Sequence, residues 1–265
     1  MQALETQTSG SSGYRHILGV KFFAGAASEA VEAGAKGGLI VAPAAPALLE
    51  LSRDPEYRQA LLEADLAITD SGFLVLVWNL MSMDCVRRIS GLEYLKLLLN
   101  RASFKERGSV IWVMPSTTSM ERNLLWLKAK GYPFSADDCY VAPQYAKGPI
   151  SDDKLVALIN ERQPKHVVIC VGGGVQEKLG FYLKRRCTSQ PAIHCIGAAI
   201  GFLTGDQVRI PAWADQTVLG WLFRCVSNPG RFVPRYARAL ELPLMLLRYG
   251  NRSPECRLQA LDRVR

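Results

Sequence analysis

The chain has 265 residues, 49% of them hydrophobic and 21% charged, which suits one sizeable core and excludes wholesale disorder. Its formal net charge is +8, and its seven cysteines contain no C-x-x-C pair. With only three scattered histidines, this argues for reduced thiols in a cytosolic protein and against a zinc site. No apolar run approaches the roughly 20 residues needed to cross a bilayer.

Residues 1–13 are polar and rich in Ser, Thr and Gly. They lack the apolar core of a signal peptide and read as a disordered tail. Short aliphatic runs then alternate with helix-like stretches. Strands are expected over residues 16–23, 38–42, 66–69, 110–114, 139–142, 166–171 and 192–196, each bounded by Gly, Pro or polar residues. Asp54-Pro55-Glu56 opens a helix, an N-cap acid followed by proline in the first turn. Residues 119–130, 151–161 and 176–186 also read as helices. The alternation predicts an α/β fold, a Rossmann-like and mostly parallel sheet with helices on both faces. It spans residues 14–212, with 213–265 as a helical appendage.

Ligands of open α/β sheets bind at the carboxyl ends of the strands. The residues to watch are therefore Ala42, Asp70, Pro115, the triple glycine and Gly197. Asp70 closes a strand and precedes Ser71-Gly72 and an apolar helical stretch. It reads either as a general base or as the cap of that helix. Gly172, Gly173 and Gly174 follow the most apolar strand. They would let backbone N–H groups approach a diphosphate at a helix N-terminus, or simply make a tight turn. Gln176 and Glu177 could bond a sugar or phosphate, or merely mark the helix start. Glu177 stands where a dinucleotide fingerprint would need glycine, which weakens a dehydrogenase reading.

From Trp221 to Arg265 there are nine arginines, no lysine and three acids, which leaves +6 in the last 45 residues. Arg224, Arg231, Arg235 and Arg238 lead this patch, and residues 240–247 form a short apolar element beside it. Such a patch attracts phosphate and suits a bilayer's headgroup boundary. Packing on the main domain and a homo-oligomer contact are the alternatives. Nucleic acid is not expected, because aromatic residues are not interleaved with the arginines.

Several pieces, taken in order, resemble the WecG/TagA/CpsF family of bacterial glycosyltransferases. They are Asp54-Pro55-Glu56-Tyr57-Arg58, Ala64-Asp65, Asp70, Arg88-Ile89-Ser90-Gly91, the glycine loop through Glu177, and Ile196-Gly197-Ala198-Ala199. Gly205, Arg209-Ile210-Pro211-Ala212-Trp213, Trp221-Leu222-Phe223-Arg224, Pro229-Gly230-Arg231 and Arg235-Tyr236 complete the series. The resemblance implies a metal-independent, inverting transfer of a sugar, an N-acetylhexosamine or a derivative. The donor would be a nucleotide-diphosphate sugar, namely a UDP-sugar, and the acceptor a polyprenyl-diphosphate glycan. No cofactor is implied. Asp70 would be the base, Arg88 would offset charge on the leaving diphosphate, and Gly172, Gly173, Gly174, Gln176, Glu177 and Gly197 would bind the donor. The enzyme would work at the inner face of the cytoplasmic membrane in cell-surface polysaccharide synthesis, its tail arginines on lipid phosphate. The stretch Ala42-Pro43-Ala44-Ala45-Pro46 and the residues Ser71, Gly201 and Gly220 stand where the family usually carries other residues, most of them polar. A relative that binds a nucleotide sugar or a partner without turnover is thus a second reading.

Overall fold

The computed structural model describes residues 13–206, 226 and 229–255. Eight strands form one sheet: β1 (Tyr14–Ile17), β2 (Val20–Phe23), β3 (Gly38–Val41), β4 (Leu66–Ala67), β5 (Val110–Met114), β6 (Cys139–Val141), β7 (His166–Ile169) and β8 (Ala192–Cys195). Their spatial order is β1-β2-β4-β3-β8-β7-β5-β6. Every pairing is parallel except that of β1 with β2. The fold class expected from the alternation is therefore present.

One expected strand is in fact two. Residues 16–23 do not run straight: Leu18 and Gly19 both take positive φ (53° and 78°) and reverse the chain into an antiparallel hairpin. Two left-handed residues in a two-residue loop match the twist of the flanking strands. Leucine rarely adopts that conformation, so nothing in the local sequence announces the turn.

The helices are α1 (Ala27–Gly34), α2 (Ala45–Leu48), α3 (Pro55–Leu62), α4 (Gly72–Ser82), α5 (Gly91–Leu99), α6 (Thr117–Ala129), α7 (Asp153–Arg162), α8 (Val175–Arg186) and α9 (Ala199–Thr204). Then come the described C-terminal pair, α10 (Pro229–Ala239) and α11 (Leu242–Tyr249). The period-2 alternation of each strand divides its side chains between two faces. Leu39, Val41, Ile111, Val113, Val167, Ile169, Ile193 and Cys195 face one core, shared with α2, α3, α7, α8 and α11. Ile40, Val110, Trp112, Met114, Val168 and Ala192 face the other, shared with α1, α5 and α6. Residues buried on both sheet faces explain why these strands read as continuous apolar runs.

Two of the three histidines meet inside the second core. Parallel pairing of β7 with β8 sets Val168 opposite His194 and His166 opposite Ala192. His194 Nε2 lies 3.1 Å from His166 Nδ1, Tyr94 Oη is 3.1 Å from His194 Nδ1, and Ser103 Oγ is 2.9 Å from His166 Nε2. Burial pushes the His166 imidazole down to about 4, helped by Arg101 and Lys165, and burial holds His194 well below the ordinary range. Among the described residues no group of three or more His, Cys, Asp or Glu could hold a metal ion.

The C-terminal helices pack on the α/β core. Ala239, Leu242 and Leu246 are buried in its first cluster. Arg238 pairs with Glu50 at 3.0 Å and Arg53 with Glu241 at 3.0 Å. The backbone N–H groups of Leu18 and Gly19 donate to the carbonyls of Gly250 and Asn251. Among the described residues no helix is long and apolar enough to cross a membrane. The expected disordered tail lies outside the described residues, except for Gly13.

Candidate active site

The carboxyl ends of β3, β4, β7 and β8 converge because these strands are parallel and three of their pairings are adjacent in the sheet. Asp70 stands three residues beyond β4. It does not cap the helix that follows. Ser71 is the N-cap of α4, and its hydroxyl accepts from Leu74 N at 3.2 Å. Asp70 Oδ1 instead accepts a 2.8 Å hydrogen bond from Gly91 N, the first residue of α5. A carboxylate at a helix N-terminus gains from the backbone dipoles.

The segment after α4 is folded back against Asp70. Arg88 Nε donates to the Asp70 carbonyl at 2.8 Å. Thr69 is fully buried and joins the same turn: its hydroxyl donates to the Arg87 carbonyl at 2.6 Å, and Ile89 N donates to Thr69. Ser90 caps α5 through Glu93 N at 3.1 Å. The two sequence-predicted catalytic residues, 18 positions apart, thus lie on adjoining segments joined by hydrogen bonds.

Gly91 joins this turn to the next strand end. A Cβ placed on Gly91 would lie 3.3 Å from the Ile196 carbonyl and 3.7 Å from Asp70 Oδ1. Gly197, with φ of 62°, then donates its N–H to Gln176 Oε1 at 2.6 Å. Gln176 Nε2 donates to Glu177 Oε1 at 3.0 Å, and Glu177 Oε2 accepts from Gly174 N at 2.6 Å. A continuous seam therefore runs from Asp70 through Gly91, Ile196, Gly197 and Gln176 to Gly174. It links the ends of β4, β8 and β7.

Gln176, Glu177 and Lys178 are buried on consecutive positions of α8, at 3%, 1% and 7% exposure. Each ties down a different loop. Gln176 holds the turn after β8 and Glu177 the turn after β7. Lys178 Nζ donates to Asp54 Oδ2 at 3.0 Å and to the Gly148 carbonyl at 2.9 Å. Asp54 also caps α3 through Glu56 N and Tyr57 N, both at 3.0 Å. The polar ends of Gln176 and Glu177 thus brace the two loops. Gly174, at φ of 91°, has open space where a Cβ would stand, as does Gly172. The loop thus leaves bare backbone facing open space.

Lys178 carries no expectation from the sequence, where Asp54 is a helix start and a piece of the family resemblance. Only the fold buries this lysine, and lysine is almost never buried unless paired. Of the tail arginines, Arg238 pairs with Glu50. Arg231 and Arg235 fall on α10 with side chains outside the described residues, and Arg224 lies outside them altogether. So do residues 207–225, which carry the Arg209–Trp213 and Trp221–Arg224 motifs.

The sequence matches the model of the glycosyl transferase WecG/TagA/CpsF family over residues 15–255. It is 25% identical over 218 residues to an N-acetylglucosaminyldiphosphoundecaprenol N-acetyl-beta-D-mannosaminyltransferase of Bacillus spizizenii, covering 77% of this chain and 79% of that protein. It is 24% identical over 191 residues to the protein of the same name from Bacillus subtilis, covering 70% and 72%. With a family match that takes in the Asp70 turn, the glycine loop and both C-terminal helices, this chain belongs to the WecG/TagA/CpsF family of glycosyltransferases.

Proposed function

We propose that this glycosyltransferase moves an N-acetylhexosamine, or a derivative of one, from a UDP-sugar to a polyprenyl-diphosphate-linked acceptor. The transfer inverts the anomeric centre and needs no metal. The observation that carries the reading is the seam that ties the Asp70 segment, through the end of β8, to the glycine loop. The names of the two Bacillus relatives supply the acceptor class and the kind of sugar.

The chemistry follows from the groups on the seam. Asp70 Oδ1 is engaged by Gly91 N, which leaves Oδ2 to take the proton of the acceptor hydroxyl as its oxygen attacks the anomeric carbon. The bond from that carbon to the diphosphate oxygen breaks as the new bond forms, on the opposite face. Negative charge then grows on the departing diphosphate. The start of α8, the bare backbone of Gly172, Gly173 and Gly174, and the Arg88 guanidinium offset that charge without a metal ion. Gln176, Glu177 and Gly197 serve by holding the two loops in register. The arginines of the C-terminal region, Arg224, Arg231, Arg235 and Arg238, favour phosphate at the inner membrane face. In this reading the α/β unit of residues 14–212 carries the chemistry and residues 213–265 the docking.

The direct test incubates the purified protein with a panel of UDP-N-acetylhexosamines and a short-chain polyprenyl-diphosphate N-acetylglucosamine acceptor, with and without EDTA. A product of one added sugar, insensitive to EDTA and of inverted anomeric configuration by NMR, is expected. Transfer that requires a divalent cation, or no transfer from any donor, refutes the reading.

A further inference from the structure

The amino-terminal edge of the sheet, opposite the crevice, carries a concavity of its own. The loops that lead into β3, β7 and β8 arrive there side by side, because Gly38, His166 and Ala192 are neighbours in the parallel register. With the segment after α5 they line a cavity of about 760 Å³, a volume that suits a small metabolite. Asp70 and the glycine loop follow their strands, whereas this wall precedes its strands.

The charge of the wall has one sign. Lys36, Arg101 and Lys165 line it, and no carboxylate does. Arg101 pairs with Glu32 and Lys165 with Glu106, but both acids stand outside the wall, with side chains 67% and 50% exposed. An incoming oxyanion competes with them in solvent, where such pairs are weak.

A buried hydrogen-bond chain ends at the same wall. Tyr94 is fully buried, so its hydroxyl donates to its partner, His194 Nδ1; as an acceptor it would leave its own proton unpaired in the core. Each neutral imidazole carries one proton. His194 Nε2 therefore donates to His166 Nδ1, and His166 Nε2 donates to Ser103 Oγ. That direction frees the Ser103 O–H to donate in turn, and both Ser103 and the buried His166 line the cavity. The hydroxyl of Ser189, in the same wall, is buried with no hydrogen-bond partner.

The backbone is strained here at two points. Among the described residues four other than glycine take positive φ, and two of them, Gln163 at 46° and Gln190 at 45°, belong to this wall. Such conformations cost energy and gather where a ligand is held. The uncharged part of the wall narrows the ligand. Gln163, Thr188 and Gln190 offer amide and hydroxyl groups, which match sugar hydroxyls. No Phe, Tyr or Trp lines the cavity, so a nucleobase finds no ring to stack on.

We propose that this cavity binds a hexose phosphate, its phosphate on Lys36, Arg101, Lys165 and the Ser103 hydroxyl. The site lies on the other edge of the sheet from the proposed donor crevice and does not rest on the transferase reading.

The test titrates the full-length protein with glucose 6-phosphate, glucose 1-phosphate and unphosphorylated glucose, by calorimetry and by the proton NMR signals of the imidazole C–H groups. The chain has three histidines, and His16, exposed on β1, is the internal control. A hexose phosphate should bind and shift the His166 signal while leaving that of His16; glucose should shift neither. Lys36→Gln/Lys165→Gln should weaken binding by about tenfold or more, with unchanged melting because both side chains are exposed. Lys128→Gln/Lys130→Gln, at the exposed end of α6 and outside this wall, should leave binding unaltered. Failure of both hexose phosphates to move His166 overturns the proposal. So does equal binding by the Lys36/Lys165 variant, an equal loss with the Lys128/Lys130 variant, or equal binding of glucose. Displacement of the hexose phosphate by a UDP-sugar would put it in the donor crevice and overturns the proposal as well, while leaving the transferase reading untouched.

Discussion

Arg88 Nε donates a 2.8 Å hydrogen bond to the backbone carbonyl of Asp70, so the guanidinium is hinged on the residue whose side chain it accompanies. The two segments are also joined by Thr69, whose hydroxyl donates to the Arg87 carbonyl. Their relative placement survives only if that junction does.

Asp70→Asn is expected to keep the turn, because an amide oxygen still accepts from Gly91 N. It removes the proton acceptor. Transfer should fall by about 10²–10⁴-fold, with circular dichroism and melting temperature near those of the native chain. A variant within a few-fold of native activity would remove Asp70 from the role of base.

Lys178 and Asp54 form a nearly buried ion pair, with side-chain exposures of 9% and 30%. Glu56 Oε2 lies close by, 4.0 Å from the same ammonium, and has no hydrogen-bond partner. Lys178→Met strands these acids beside a buried methyl group. A loss of about 3–5 kcal/mol in urea unfolding is expected. Adding Asp54→Asn should restore part of it, because the amide oxygen still caps α3 while its charge is gone.

Gln176→Ala leaves the half-buried Gly197 N–H without its acceptor, at a cost of about 1–3 kcal/mol. Glu177 loses a donor at the same time. Because the turns after β7 and β8 then loosen together, the KM for the donor should rise more than kcat falls. Titration of donor against fixed acceptor separates the two constants.

The buried imidazoles tie stability to pH. His166 is held at about 4 and His194 also lies well below 6.5, while in the unfolded chain both titrate near about 6.5. Above that pH both states are neutral and nothing is lost. As pH falls from 6.5 toward 4, the unfolded chain binds protons that the folded one refuses, so stability declines through that window. The loss should be roughly 2 kcal/mol for His166 alone, read from urea midpoints at pH 7 and pH 4.5. The comparison is with His166→Leu/His194→Leu, which should flatten the difference.

The strands of the sheet were legible because burial on both faces leaves a plain local signature, the short aliphatic run. α3 was legible from Asp54-Pro55, since a cap and an N-terminal proline act within one turn. The turn at Leu18 was not, because a leucine at positive φ is held by packing and by the Gly250 and Asn251 carbonyls that receive its neighbouring N–H groups. Nor could the chain order tell whether Asp70 caps α4; Ser71, one residue on, turned out to have the better geometry for that task.

By itself the sequence determined the α/β alternation, the glycine-loop position, the concentration of arginine at the C-terminal end and, through its motifs, the family. Those are properties of residues near one another along the chain. Only the tertiary structure decided that Asp70 meets Gly91 across 21 positions, that Gly197 meets Gln176 across 21, and that Lys178 reaches Asp54 across 124. Parallel strands bring such distant loops to one edge through long crossovers, and each bond then depends on two segments whose approach no local pattern encodes.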